Sequence, residues 1–200
     1  MQQVLRTYTE PMRSCREFEA LSEHLERGQT PVLMTGCTAV QKAQFIYAAG
    51  LAYPFRLLIA EDELKAKELY EEYREFDPDT VYWPDKDLIF FSAGVQGNAT
   101  LRARMAVLRR LADAQETGGR LMVVTTIRAG LERLQPLSEL LAARITVRRD
   151  VAMELTELTK KLAELGYRRS EQVENAGEFA VRGGILDVFP ISQDNPYRIE

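Results

Sequence analysis

The stretch Gly118-Gly119-Arg120-Leu121-Met122-Val123-Val124-Thr125-Thr126 reads as a glycine turn, a buried strand and a helix cap. A continuous apolar run bounded by turn signals suits a strand covered on both faces, as in a parallel sheet. Working outward, the flanks repeat the theme. Phe55 to Ala60 is a second strand with Arg56 near its start, and Thr80 to Trp83 a brief third. Between them Asp62 to Phe76 has helical spacing, with Leu64, Ala66, Leu69 and Tyr73 inward, and Asp77-Pro78-Asp79 stops it. Further upstream, Ser14 and Glu17 form a capping box for a helix to about Arg27. Pro31 to Thr35 is a short apolar strand, Gly36 to Gln41 a loop, and Lys42 to Gly50 a helix burying Phe45, Ile46 and Ala49. An arginine-bearing helix begins at Asn98 or Thr100 and runs to about Gln115; between it and Trp83 lies an irregular, aromatic segment carrying Phe90 and Phe91. Beyond the buried strand come short helices from Thr126 and Pro136 and a strand from Ala143 to Arg148. Alternating strands and helices predict an α/β domain with a parallel sheet and flanking helices over residues 1–149.

After Arg149 the texture changes. Asp150 to Leu165 reads as a helix with Leu155, Leu158, Leu162 and Leu165 inward. Short segments at Tyr167-Arg168-Arg169, Glu178 to Val181 and Gly184 to Phe189 read as antiparallel strands joined by glycine turns. Residues 150–200 are thus a small α+β module. Tyr197-Arg198-Ile199 opens a strand that nothing closes, so the expectation is a chain that stops inside a longer protein.

The 200 residues carry 26 basic and 30 acidic side chains, a net charge of −4, and 46% are apolar, enough for a core. No stretch approaches the roughly 18–20 apolar residues of a membrane span. The N-terminus lacks the basic-then-apolar pattern of a signal peptide. A reducing, cytoplasmic setting is expected, with no membrane contact. Two cysteines, Cys15 and Cys37, and one histidine, His24, do not by themselves make a metal site, and no nucleophile is paired with a base. The modest net charge hides asymmetry. Residues 61–87 hold 11 acids and 4 bases, whereas 101–149 hold 10 arginines, no lysine and 4 acids. That block could meet phosphates through Arg102, Arg104, Arg109 and Arg110, or be a solvated, charge-striped face.

Thr35 to Ala43 stands where an α/β fold places a phosphate loop, between a strand and a helix. Gly36 and Lys42 have the required spacing. Gln41 replaces the second glycine and Ala43 the hydroxyl that would hold magnesium. The buried strand ends in Thr125-Thr126 rather than in acids. The loop therefore reads as a structural turn without a bound cofactor.

These residues carry a resemblance. Pro31 to Ala49, Arg56 to Ala60, and Phe76-Asp77-Pro78 resemble the start of the excision-repair protein UvrB. Gly166-Tyr167-Arg168-Arg169 and Glu178-Phe179-Ala180-Val181-Arg182-Gly183-Gly184-Ile185-Leu186-Asp187-Val188-Phe189-Pro190 resemble the UvrA-binding domain shared by UvrB and the transcription-repair coupling factors (Mfd). The degenerate loop, the short segment Trp83 to Ser92, and Gly118 to Thr126 with Leu131 to Leu134 favour the N-terminal region of the Mfd family. The resemblance implies a degenerate UvrB-like α/β domain followed by a UvrA-binding module. It implies a non-catalytic, UvrA-recruiting piece of a larger ATP- and magnesium-dependent DNA translocase. Contacts to RNA polymerase and DNA would then lie in other domains. It assigns UvrA contacts to Arg168 or Arg169, to Arg182, and to an apolar component from Phe179 and Phe189. Ala180 stands where UvrB carries a further arginine. The alternatives are a UvrB-type nucleotide-binding enzyme and a DNA-binding repair module. Read without the family, the arginines are solvated strand residues, the phenylalanines core, and Asp187 needs a partner such as Arg182 or Arg198.

Overall fold

The computed structural model describes residues 9–86, 97–149 and 151–200. Two compact units emerge, Met1–Tyr82 with Thr117–Ile127, and Trp83–Glu116 with Arg128–Glu200. They interleave along the chain rather than following one another across residue 149.

The first unit is built on β1 (Phe55–Ala60), β2 (Thr80–Tyr82) and β3 (Leu121–Thr126), ordered β1-β3-β2. Both pairings are parallel: Val123 stands opposite Leu57 on one side and Val81 on the other. The apolar run is thus the central strand, and Leu121, Met122 and Val124 are fully buried. Helices α1 (Arg16–Glu26), α2 (Ala39–Gly50) and α3 (Glu63–Phe76) belong to the same unit. One core cluster joins Ala43 and Tyr47 of α2 to Tyr73 and Met122, and a second joins Ala60, Ala66 and Val124. Burial pushes the Tyr73 phenol well above its ordinary pKa.

Several expectations need correction here. Pro31 to Thr35 is not a strand; Val32 and Leu33 stay exposed, because apolar composition without a partner strand makes no ladder. Ser14 does not cap α1. Its hydroxyl donates to the Pro11 carbonyl in a short 3₁₀ turn, and Cys15 is the N-cap. Helix α2 starts earlier than Lys42. Leu64 is exposed, because it lies about 200° round α3 from Ala66, off the stripe that Leu69 and Tyr73 share. Phe90 and Phe91 lie outside the described residues.

Arg56 and Asp77 form the tightest constraint in this unit. Nη1 of Arg56 lies 2.6 Å from Oδ2 of Asp77, with both side chains about nine-tenths buried. The contact is an ion pair by distance without hydrogen-bond alignment, and Nε and Nη2 have no hydrogen-bond partner. The Asp77 carboxylate also accepts from the Asp79 amide at 3.0 Å and so shapes the turn into β2, while its backbone amide donates to the Tyr73 carbonyl at the end of α3. Removing one partner of such a pair strands a buried charge. Asp77→Ala is expected to lower stability by about 3–5 kcal/mol in urea unfolding. A loss under 1 kcal/mol would show the pair to be dispensable.

In the second unit, α4 (Gly97–Thr117, its last residue counted in the first unit) carries the arginines. After it come the short helices α5 (Ile127–Gly130) and α6 (Leu137–Ala142), then α7 (Leu155–Glu164). A four-stranded sheet follows, β4 (Arg168–Arg169), β5 (Glu178–Arg182), β6 (Ile185–Val188) and β7 (Tyr197–Ile199), in that spatial order. Leu158 and Leu162 of α7 pack on Phe179, Leu186 and Val188, with Ile145, Tyr167, Val181 and Ile199 around them. Leu165 lies outside this stripe and is exposed.

Two further expectations change. Ala143 to Arg148 is not a strand; Ile145 docks into the core while Arg144 pairs with Asp113 and Glu116 of α4. Strands β5 and β6 are antiparallel as read, but β4 runs parallel to β5, and Tyr197 to Ile199, read as a strand that nothing closes, pairs antiparallel with β6 as β7. Gly183-Gly184 makes the two-residue hairpin between β5 and β6, and Gly183 sits at φ 62°, a conformation that costs other residues energy.

Candidate functional site

Several arginines of the block make internal contacts. Arg104 is buried; its guanidinium lies 4.1 Å from the centroid of the Trp83 ring. Nη1 donates to the Pro84 carbonyl at 3.1 Å and Nη2 to Glu132 at 2.8 Å. Lys86 joins the same carboxylate at 3.1 Å, and the Trp83 indole donates to the Ala129 carbonyl. Burial pushes the Glu132 carboxyl up, but its bonds to Arg104 and Lys86 outweigh this and hold it below the usual range. Arg102 reaches Asp194 and the Gln193 carbonyl and lies over the Phe189 ring, and Arg109 pairs with Asp113. Arg104 in particular is not offered to phosphate.

In the first unit, Gly36 has φ 77° and the chain then enters α2 through Thr38. The Thr38 amide donates to Gln41 Oε1 at 3.0 Å, and the Gln41 amide donates to Thr38 Oγ1 at 3.3 Å. This reciprocal capping box uses the side chain that replaced the glycine, and it engages an amide that an anion would need. Ala43 is buried with Tyr73 and Met122, so its position faces the core. Among the described residues no group of three or more His, Cys, Asp or Glu could hold a metal ion, and no helix is long and apolar enough to cross a membrane.

The second unit's sheet presents the remaining residues. Side chains alternate across a strand, and directly opposed residues share a face. The register sets Arg168 beside Glu178 and Arg169 beside Phe179, so the two neighbouring arginines lie on opposite faces. With Arg168 stand Glu178, Ala180, Arg182, Asp187 and Arg198. With Arg169 stand Phe179, Val181, Leu186 and Val188, the face that α7 covers.

On the open face the acids are already engaged. Arg198 grips Asp187 bidentately at 2.7 and 2.8 Å, which holds that carboxyl below its ordinary range. Glu178 accepts the amides of Glu174 and Asn175, which lower its pKa and fix the turn before β5. Arg168 and Arg182 are exposed, and Arg182 donates to the Glu171 carbonyl at 2.7 Å rather than to an acid. Neither forms an ion pair, although Arg168 helps to hold Glu178 low and Arg182 does the same for Asp187. Phe179 is only 3% exposed and belongs to the core, so it shapes this region from beneath. Phe189 is half-buried under Arg102. The sequence reading left Arg182 and Arg198 open as partners of Asp187, and the structure pairs it with Arg198.

The family comparison falls on this sheet. Residues 145–200 match the UvrB interaction domain. The chain is also 26% identical over 189 residues to the transcription-repair-coupling factor of Bacillus subtilis, covering 92% of this chain and 16% of that protein. It is 27% identical over 202 residues to UvrABC system protein B of Thermotoga neapolitana, covering 92% and 29%. A third relative, the transcription-repair-coupling factor of Staphylococcus haemolyticus, is 27% identical over 176 residues, covering 86% and 15%. The chain thus spans under a third of the length of each of these curated relatives.

The Asp187 grip has a pH signature. A depressed carboxyl contributes stability above its unfolded pKa and loses it as pH falls through the folded value. Carbon-detected NMR titration should place Asp187 below 3.8, its ordinary value, and Arg198→Ala should return it there. An unchanged midpoint in that variant would remove Arg198 as the cause.

Proposed function

We propose that this chain is a docking piece of the transcription-repair coupling type, which binds UvrA and performs no catalysis of its own. The observation that carries this reading is one side of the second unit's sheet, where Arg168, opposite Glu178, and Arg182 are both exposed. The match of residues 145–200 to the UvrB interaction domain supports it. Arginine suits such a surface because its planar fork pairs bidentately with carboxylates and is weakly hydrated. In this reading the Asp187–Arg198 pair and the Gly183-Gly184 hairpin fix the face, with Phe179 in the core beneath it and Phe189 half-buried under Arg102. Recruitment to stalled RNA polymerase, DNA translocation and ATP chemistry belong to the longer protein.

UvrA titrated into the chain should give saturable binding at micromolar concentration. Arg168→Ala/Arg182→Ala should weaken it at least tenfold while Arg169→Ala leaves it near wild type. No binding by the folded wild type, or equal loss from Arg169→Ala alone, would overturn the assignment.

We also propose that the Gly36–Ala43 loop acts as a helix cap with no nucleotide of its own. The capping box of Thr38 and Gln41 and the buried Ala43 support this. Calorimetry with ATP and magnesium should show no saturable heat. A clear isotherm lost on Lys42→Ala would reverse it.

A further inference from the structure

A shallow cleft of about 360 Å³ lies beside β4 on the α7 side of the second unit, away from the Arg168–Arg182 face. One wall is a single helical stripe, Thr156, Thr159, Lys160 and Ala163, with the i, i+3, i+4, i+7 spacing of one helix face. The floor is Tyr167 and Phe179, and Arg169 stands at the edge. Arg169 is exposed and makes no ion pair or side-chain hydrogen bond among the described residues. Lys160 reaches Glu164 only at 3.9 Å and is itself exposed. The cleft thus combines an apolar floor with two underused cations.

The strand beside it is also open. In the β4–β5 pair the amides of Arg168 and Ser170 donate across to Gly177 and Phe179. Backbone groups alternate in direction along a strand, so the amide and carbonyl of Arg169 point away from β5, off the edge of the sheet. An extended peptide can add to such an edge by main-chain hydrogen bonds while neighbouring pockets select its side chains.

We propose that this cleft docks an extended acidic peptide segment of a partner protein. Its backbone pairs with Arg169, an apolar side chain settles on Tyr167 and Phe179, and its carboxylates meet Arg169 and Lys160. The charge decides the occupant: a basic or nucleic-acid strand gains nothing from apolar floor and edge together, and repulsion or phosphate spacing selects against it. This site is separate from the UvrA face proposed above and does not depend on that reading.

The probe is the peptide acetyl-Glu-Phe-Glu-Leu-Glu-amide, titrated into the ¹⁵N-labelled full chain. Saturable shifts should cluster on the amides of Thr159, Lys160, Ala163, Arg169 and Phe179. Affinity should fall at least tenfold in Lys160→Glu/Arg169→Glu, whose spectrum should remain dispersed, and stay within twofold in Arg168→Ala/Arg182→Ala. The lysine counterpart, acetyl-Lys-Phe-Lys-Leu-Lys-amide, should produce no saturable shifts. Shifts centred on Arg168 and Arg182, equal response to both peptides, or no saturation at millimolar peptide would each overturn the proposal. The Arg168→Ala/Arg182→Ala arm separates this failure from failure of the UvrA reading, which only the UvrA titration tests.

Discussion

Side-chain alternation along a strand governs what each surface of this protein can do. In β3 both neighbours are parallel strands, so its backbone groups are paired on each side and Leu121, Met122 and Val124 are driven into full burial. In β5 the same alternation puts Glu178 and Arg182, with the buried Ala180 between them, on one face and Phe179 and Val181 on the other. Because β4 joins β5 in parallel register, that sorting extends to Arg168 and Arg169 and sends adjacent cations to different faces. A slip of one residue in that pairing would exchange their roles.

Charge is handled by enclosure as well as by position. Arg56 with Asp77, and Arg104 with Trp83 and Glu132, are arginines whose guanidinium groups are spent inside the fold. Their worth lies in geometry: breaking such a pair strands a buried charge, which is costly, whereas the intact pair adds little net stability. Surface pairs such as Lys161–Glu157 are exposed and contribute less. Among the described residues, Arg133, Arg148, Arg149, Arg168 and Arg169 are exposed arginines without an ion pair, and Arg168 and Arg169 lie on the C-terminal sheet.

Much of this was legible from residues. The limits of β1 follow from its apolar run, and those of α3 from Asp62 at one end and Asp77-Pro78 at the other. The capping box of α2 sits in Thr38-x-x-Gln41, although reading the stretch against a phosphate loop drew attention to what Gln41 removes rather than what it supplies. Pro31 to Thr35 and Ala143 to Arg148 had strand composition and formed none, since a ladder needs an edge to pair with. The assignment of Phe179 to a binding surface came from resemblance, and its burial follows from sharing a face with Leu186 and Val188.

The sequence alone determined the alternating strands and helices, the change of texture after Arg149, and the Arg-Gly-Gly hairpin with its flanking apolar residues. These are local: they depend on spacing, turn chemistry and hydrophobic period. Tertiary structure decided the parallel register of β4, the pairing of Asp187 with Arg198, and the internal use of Arg104. Each depends on residues between 10 and 28 positions apart meeting in one geometry. Local propensity carries no information about such meetings, because the free energy that selects them comes from burial and pairing across the fold.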